Sequence, residues 1–150
     1  MSFIKVLIVD DVTETRANLK RLLQLEPDIK VIGEATNGKE AIRQAEVLRP
    51  DVVLMDINMP VMDGLCASEA ITLGFPSISI IMLSVQGEPE YFKRAMMAGA
   101  REFLTKPFTS DELVNTIRQA YNLEKKHKNS RTVASDYGFA SSFRIQGKLS

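Results

Sequence analysis

The 150-residue sequence has one cysteine, no tryptophan and no long apolar run. A single cysteine, Cys66, cannot form an internal disulfide, and such sparse use of cysteine favours a reducing compartment. No apolar stretch approaches the roughly 20 residues that a membrane-spanning helix needs. The amino terminus lacks the basic and then apolar pattern of a signal peptide. We therefore expect a cytoplasmic protein with no membrane segment.

Net charge is also absent, because 19 basic and 19 acidic residues balance. The overall charge therefore predicts no attraction to nucleic acid or to a membrane surface. The two parts of the chain differ, however, since residues 125–150 have six basic side chains and one acidic one, whereas residues 1–124 carry a net charge of −5. This change in composition predicts a domain at 1–124 and a basic linker or tail at 125–150.

Short apolar segments alternate with segments of helical spacing. The apolar segments are Ile4–Val9, Val52–Met55, Ile78–Leu83, Phe103–Leu104 and, more weakly, Ile29–Ala35. Nearly continuous apolar runs are typical of parallel strands that are covered on both faces. Strand and helix alternate five times, which predicts an α/β fold with a doubly wound five-stranded parallel sheet and right-handed crossovers.

Several residues mark the predicted helix ends. Gly74 and Gly99 lie where a helix C-terminus commonly takes a left-handed residue. Thr109 and Glu112 have the spacing of a capping box, so the last helix should begin there. The helical pattern ends near Glu124.

Polar residues come directly after four of the predicted strands. Asp10 and Asp11 follow the first strand, Asp56 the third, Ser84 the fourth and Lys106 the fifth. Ligands of open parallel sheets bind outside the carboxyl ends of the strands, so a strand order of 2-1-3-4-5 would bring these residues into one crevice. Three carboxylates repel one another unless a cation lies among them, and Mg²⁺ suits oxygen ligands and phosphate. A carboxylate can also act as a nucleophile and form an aspartyl phosphate, whose charge Lys106 and the ion would stabilise.

Four stretches of the sequence resemble the receiver family of bacterial response regulators, the phosphoacceptor modules of two-component signalling. They are VLIVDD (6–11), RPDVVLMDINMPVMDG (49–64), IIMLS (80–84) and AGAREFLTKPF (98–108), in the family's order. The resemblance covers residues 4–124. It implies a flavodoxin-like (βα)5 fold and a module similar to the chemotaxis regulators. Such a module is a signalling phosphoacceptor, which catalyses only its own phosphorylation and dephosphorylation.

The resemblance also implies a role for each site residue. Asp56 would accept the phosphoryl group from a sensor histidine kinase. Asp10 and Asp11 would hold Mg²⁺ together with Asp56 and the backbone carbonyl of Asn58. Lys106 would contact the phosphoryl group.

A conformational change is implied as well. Ser84 and Phe103 match the pair of residues that carries it, and Pro107 is expected to follow a cis peptide bond. The face formed by the fourth helix, fifth strand and fifth helix should then contact a partner or a second copy of the chain. Charged residues expected there are Glu90, Lys93, Arg94, Asp111 and Arg118. Val85 stands where the family usually has a small residue and would slow phosphotransfer, and Phe103 replaces the more common tyrosine, so packing alone would drive the change.

Simpler interpretations exist for single residues. An aspartate at a strand end commonly stabilises a turn, Ser84 could cap the following helix, and most bonds before proline are trans.

Two other functions fit less well. A phosphatase with Asp10 as nucleophile would need its second aspartate two residues later, and an FMN-binding flavodoxin would need a Ser/Thr- and Gly-rich loop after the first strand.

The output of the receiver is left open by the sequence. The chain could act as a free-standing regulator, or it could be the input module of a longer protein. In the second case the output domain would be a ParA/MinD-like ATPase or a DNA-binding domain, and Phe143, Ile145 and Leu149 would begin its first strand. Residues 125–150 have no helix-turn-helix pattern, so we expect no direct binding of nucleic acid by this chain.

Overall fold

The computed structural model of the protein describes residues 3–59, 61–85 and 89–136, with side chains as far as residue 124. Strand and helix alternate five times, as predicted. The strands are β1 (Ile4–Val9), β2 (Ile29–Ala35), β3 (Val52–Asp56), β4 (Ser79–Val85) and β5 (Glu102–Lys106). The helices are α1 (Thr13–Leu23), α2 (Gly38–Leu48), α3 (Gly64–Gly74), α4 (Pro89–Met97) and α5 (Ser110–Asp136).

All five strands are parallel and form one sheet in the order β2-β1-β3-β4-β5. The predicted doubly wound (βα)5 sheet and its strand order are therefore confirmed. The winding reverses between β1 and β3, and a crevice opens at this point outside the carboxyl ends of the strands. Val9 pairs with Met55 across β1 and β3, and Asp56 pairs with Leu83 across β3 and β4.

Helices cover the sheet on both faces, which explains why the strands are apolar almost throughout. On one face, Leu54 and Ile81 pack in a core with residues of α1 and α5. On the other, Val53 and Ile80 pack in a core with residues of α2, α3 and α4. These four side chains are fully buried, and each contributes about 1.5–3 kcal/mol relative to an exposed side chain. The two cores hold the strand ends in fixed positions.

The helix ends follow the predictions in part. Glu112 N–H donates to Thr109 Oγ1 at 3.1 Å and Thr109 N–H donates to Glu112 Oε1 at 2.8 Å, so the capping box is confirmed. Gly99 has a φ of 102° and is left-handed, as expected. The prediction for Gly74 is wrong, because this residue is the last of α3 and is not left-handed. Instead Arg49, with a φ of 49°, ends α2 in the left-handed conformation.

Helix α5 continues well past the predicted end of the pattern near Glu124, since it extends to Asp136. At about 1.5 Å per residue, the extra turns lengthen it by roughly 18 Å. The segment with Phe143, Ile145 and Leu149 lies outside the described residues. Among the helices that the structure describes, none combines the length and the hydropathy required to span a bilayer.

Candidate functional site

Four neighbouring strands place polar side chains in the crevice. Asp10 directly follows β1, and Asp56 is the last residue of β3. Ser84 is the penultimate residue of β4, and Lys106 is the last of β5. The parallel order of β1, β3, β4 and β5 brings all of these residues to one edge of the sheet.

The carboxylates of Asp10, Asp11 and Asp56 form a compact cluster. One oxygen from each lies within 4.8 Å of the other two. Asp10 is buried, Asp56 is 14% exposed at its side chain and Asp11 is exposed. Lys106 Nζ lies 3.5 Å from Asp56 Oδ1 and 3.9 Å from Asp10 Oδ2. One ammonium group therefore faces three carboxylates, and the pocket attracts a further cation.

Backbone contacts fix the orientation of Asp10. Its Oδ1 accepts a hydrogen bond from Val12 N–H at 2.8 Å, while Oδ2 faces Lys106. Its own N–H donates to the carbonyl of Ala35 at 3.1 Å, which continues the pairing of β1 with β2. One carboxylate oxygen of Asp10 therefore stabilises the turn after β1, and the other faces the pocket.

Burial is the main perturbation of the acids in this cluster. It raises the pKa of Asp56 to about 6, with Lys106 opposing the rise and the charges of Asp10 and Asp11 adding to it. Burial likewise raises the pKa of Asp10, although the hydrogen bond from Val12 N–H and the charge of Lys106 lower it. The folded protein thus disfavours the charged forms of both acids, and cations restore them.

The donor atoms of the cluster fit Mg²⁺. All are carboxylate oxygens, and Mg²⁺ typically takes one or two protein carboxylates while keeping room for water and phosphate oxygens. When bound, this ion supplies positive charge to the oxygens of a phosphoryl group. Asn58 is exposed two residues after Asp56, and its backbone carbonyl as a further ligand stays a prediction.

The predicted switch residues lie on neighbouring strands. Ser84 is 3% exposed, and its Oγ makes a long contact of 3.4 Å with the carbonyl of Val85. Because Ser84 lies within β4 and α4 begins at Pro89, Ser84 is not the N-cap of that helix. Phe103 is partly buried in β5 and meets Phe92 of α4 edge to face, with the ring centroids 5.4 Å apart.

The turn that leads into α5 begins directly after Lys106. The Lys106–Pro107 peptide bond is cis. Pro107 itself is exposed, and the capping box that begins α5 follows directly. The roles of these residues in phosphoryl transfer stay predictions.

Two glycines that the sequence analysis did not single out permit close backbone approaches, one of them to Asp56. Gly64 N–H donates to the Ile57 carbonyl at 2.8 Å, so the segment after β3 folds back beneath Asp56. A Cβ atom on Gly64 would overlap the carbonyl of Asp56, and one on Gly38 would lie 2.6 Å from the Met62 carbonyl. Local signals were present at both positions, since Asp63–Gly64 and Asn37–Gly38 are both pairs that mark turns.

The chain is similar to known proteins of one family. Residues 6–118 match the family model of the response regulator receiver domain. A chemotaxis protein CheY from Listeria monocytogenes is 38% identical over 117 residues, which cover 78% of this chain and 98% of that protein. A protein-glutamate methylesterase/protein-glutamine glutaminase from Methanococcoides burtonii is 41% identical over 128 residues, which cover 79% of this chain and 36% of that protein.

A solved structure shows the same fold. The crystal structure of the response regulator domain of Thermotoga maritima CheB has a TM-score of 0.73 and 38% identity, with 80% of this chain and 97% of that chain covered. The fold and the acidic crevice define a doubly wound α/β signalling module. The chain belongs to the receiver domain family of response regulators in two-component signalling. It spans about a third of the length of the methylesterase that it matches.

Neutralising Asp56 should stabilise the protein in the absence of Mg²⁺. Because the pKa of Asp56 is raised to about 6, its charged form costs stability above that pH. We expect Asp56→Asn to raise the free energy of unfolding by about 1–3 kcal/mol near pH 7.5. The gain should shrink as the pH falls through 6 toward the ordinary value of 3.8, because wild-type Asp56 then binds its proton.

Thermal melts in EDTA, near pH 7.5 and again below pH 6, measure the difference in stability between Asp56→Asn and wild type. Asp111→Asn, which neutralises an exposed carboxylate at the start of α5, is the matched control and should bring no such gain. A lower melting midpoint for Asp56→Asn than for wild type near pH 7.5 would contradict the prediction that burial and carboxylate repulsion make the charged form of Asp56 unfavourable.

Proposed function

We propose that the chain is a phosphorelay receiver that accepts a phosphoryl group on Asp56 in a Mg²⁺-dependent reaction. The donor is the phosphohistidine of a sensor histidine kinase, and acetyl phosphate can replace it. The observation that carries this proposal is the convergence of Asp10, Asp11, Asp56 and Lys106 in one partly buried pocket. We further propose a cytoplasmic location and a receiver domain at residues 1–124.

The geometry supports an in-line transfer to Asp56. An oxygen of Asp56 forms a bond to phosphorus while the bond from phosphorus to the histidine nitrogen breaks, and that nitrogen keeps the electron pair. Near pH 7.5 the Asp56 carboxylate is largely ionised, because its pKa is about 6 even without a metal ion. Lys106 Nζ, 3.5 Å from Asp56 Oδ1, is placed to stabilise charge on the transferred oxygens. Asp10 and Asp11 would hold the ion, and positioning with electrostatic stabilisation accounts for the catalysis.

A groove beside the pocket suits the approach of a phosphodonor protein. It lies between α1 and the turn after β5, and it opens next to Lys106. Its walls combine apolar and small polar side chains, namely Thr15, Asn18, Leu19, Leu22, Pro107 and Phe108. A donor bound there would reach the acidic cluster without displacing the core. We place the contact with the histidine kinase in this groove.

Phosphorylation of the wild-type chain is the direct test of the function. Intact-mass analysis after incubation with acetyl phosphate and Mg²⁺ should show one added phosphoryl group. Asp56→Asn and excess EDTA should each abolish it, because the first removes the nucleophile and the second removes the cation. Asp63→Asn, which alters a nearby aspartate whose Oδ1 caps α3, should still be labelled. Undiminished labelling of Asp56→Asn would contradict the assignment.

Phosphorylation should cause a conformational change that begins at Ser84 and reaches the face formed by α4, β5 and α5. A hydrogen bond from the Ser84 hydroxyl to the phosphoryl group would draw this side chain toward Asp56, and Phe103 would then move into the vacated space. Phe92 contacts Phe103 and is 52% exposed, so movement of Phe103 would reshape an apolar surface of α4. Val85, the last residue of β4, is 60% exposed, and its effect on access to Asp56 stays a prediction.

The charges of this face differ from the sequence prediction at one position. Arg118 was expected there, but its guanidinium contacts Asp28 Oδ1 at 2.8 Å and Glu26 Oε1 at 2.8 Å, in the segment between α1 and β2. The expectation is wrong because Arg118 faces the α1 side of α5. The other four charged residues are exposed and remain for contact with an output partner or with a second copy of the chain, namely Glu90, Lys93 and Arg94 on α4 and Asp111 on α5.

Removing the Ser84 hydroxyl should uncouple phosphorylation from output. A charge-assisted hydrogen bond contributes about 1.5–3 kcal/mol, so Ser84→Ala should lower the population of the active form about ten- to a hundredfold. Hydrogen exchange with and without beryllofluoride should show a weakened response of residues 89–121. The variant should still accept the phosphoryl group.

Ser79→Ala is the matched control for this experiment. Ser79 is a buried serine at the other end of β4, and its Oγ donates to the Ala120 carbonyl at 3.2 Å, away from the pocket. It should respond to beryllofluoride as the wild type does. Equal responses of Ser84→Ala and wild type would show that the hydroxyl does not drive the change.

A further inference from the structure

A largely buried arginine contacts the backbone of the acidic cluster. Arg16 of α1, 11% exposed at its side chain, donates from Nη1 to the backbone carbonyl of Asp10 at 2.7 Å. Its Nε donates to Glu34 Oε1 at 2.9 Å, and its Nη2 makes a weaker contact with Thr13 Oγ1 at 3.4 Å. Lys20 Nζ donates to the other oxygen of Glu34 at 2.7 Å. The guanidinium thus joins α1, β2 and the turn that follows β1.

We propose that Arg16, oriented by Glu34, is a positioning residue that sets the Asp10–Asp11 turn in the geometry required for binding Mg²⁺. The inference rests on the proposed function, because it assumes that the acidic cluster is a metal site. Arg16 contacts the backbone of Asp10, so its effect on the ion would be indirect.

The planarity of the peptide bond explains how one contact can orient Asp11. The carbonyl of Asp10 lies in the same plane as the nitrogen and Cα of Asp11. Asp11 is exposed, so packing does little to hold its side chain. A hydrogen bond that holds the Asp10 carbonyl therefore also fixes the N–Cα bond of Asp11, from which the side chain projects. Loss of this bond would let the plane rotate and separate the Asp11 carboxylate from its neighbours.

Glu34 gives the guanidinium a fixed support. It lies on β2, where its backbone pairs with Ile8 of β1, so the core of the sheet determines its position. The positive charges of Lys20 and Arg16 lower the pKa of Glu34, so it stays ionised across the neutral range. Hydrogen bonds of an arginine to a carboxylate are directional, and this geometry aims Nη1 at the Asp10 carbonyl.

The charge of Arg16 and its proposed positioning role predict opposite changes in Mg²⁺ affinity when Arg16 is replaced. Removing a cation from behind three carboxylates makes the pocket more negative, and electrostatics alone would tighten the binding of Mg²⁺. Loss of positioning would weaken it, because the carboxylates would no longer converge before the ion binds. Partners that orient metal ligands typically contribute about 10- to 100-fold to metal affinity. The sign of the change therefore separates the two explanations.

The test uses folded variants of the whole chain. It measures Mg²⁺ affinity by calorimetry, and it measures the rate of labelling by acetyl phosphate as a function of Mg²⁺ concentration. Arg16→Ala should weaken Mg²⁺ binding by roughly 10- to 100-fold. Its labelling rate should recover at saturating Mg²⁺, because Arg16 does not touch the reacting atoms. Arg16→Lys keeps the charge but loses the planar fork, so its affinity should lie closer to that of Arg16→Ala than to wild type. Glu34→Gln should shift the affinity in the same direction by less.

Arg118→Ala is the matched control, because Arg118 of α5 also makes ion pairs, but its partners Glu26 and Asp28 lie between α1 and β2, away from the cluster. It should lower the melting temperature and leave Mg²⁺ affinity unchanged. Unchanged or tighter Mg²⁺ binding by Arg16→Ala would overturn the inference. If Arg16→Ala does not fold, wild-type Mg²⁺ affinity in both Arg16→Lys and Glu34→Gln would overturn it instead. A wild-type chain that neither binds Mg²⁺ nor is labelled would instead refute the proposed function, and the inference with it.

Discussion

The mutual repulsion of three carboxylates at the ends of β1 and β3 is the constraint on which the rest of the site depends. Asp10, Asp11 and Asp56 lie close enough for one oxygen of each to fall within 4.8 Å of the others, and the ammonium of Lys106 opposes their charge. Burial of Asp10 and Asp56 strengthens the conflict, because a partly desolvated charge interacts more strongly with its neighbours. The pocket therefore attracts a cation, and this attraction is the basis of the phosphoryl transfer that we propose.

The apolar scaffold makes such a cluster tolerable. The strands carry fully buried side chains on both faces, and the two cores together stabilise the sheet far more than the cluster destabilises it. The same rigidity prevents the carboxylates from moving apart, since β1 and β3 are paired up to Val9 and Met55. Contacts outside the pocket add to this fixation. The Arg16 guanidinium holds the backbone before Asp11, and Gly64 lets the following segment approach Asp56 closely.

Much of this arrangement could be predicted from the sequence, and the exceptions have physical reasons. The apolar strands predict a doubly wound sheet, and the sheet in turn predicts that Asp56 and Lys106 meet, because parallel strands share one carboxyl edge. Gly74 was predicted to be left-handed, yet α3 includes Gly74 and its C-cap is Phe75, whose N–H donates to the Ile71 carbonyl. At the end of α2, Arg49 takes the left-handed conformation, and its N–H donates to the Ala45 carbonyl. The orientation of Arg118 toward Asp28 and the role of Arg16 depend on contacts between distant segments. No local spacing encodes such contacts.

The central claim is that Asp56 lies in a desolvated, negatively charged pocket whose charge a divalent cation relieves. NMR titration of the Asp56 side-chain carboxyl, with and without Mg²⁺, tests it most directly. The structure predicts a pKa of about 6 without the ion, and we expect the value to fall when Mg²⁺ saturates the site. A midpoint near the ordinary 3.8 that does not respond to Mg²⁺ would contradict both the clustered pocket and its role as a metal site.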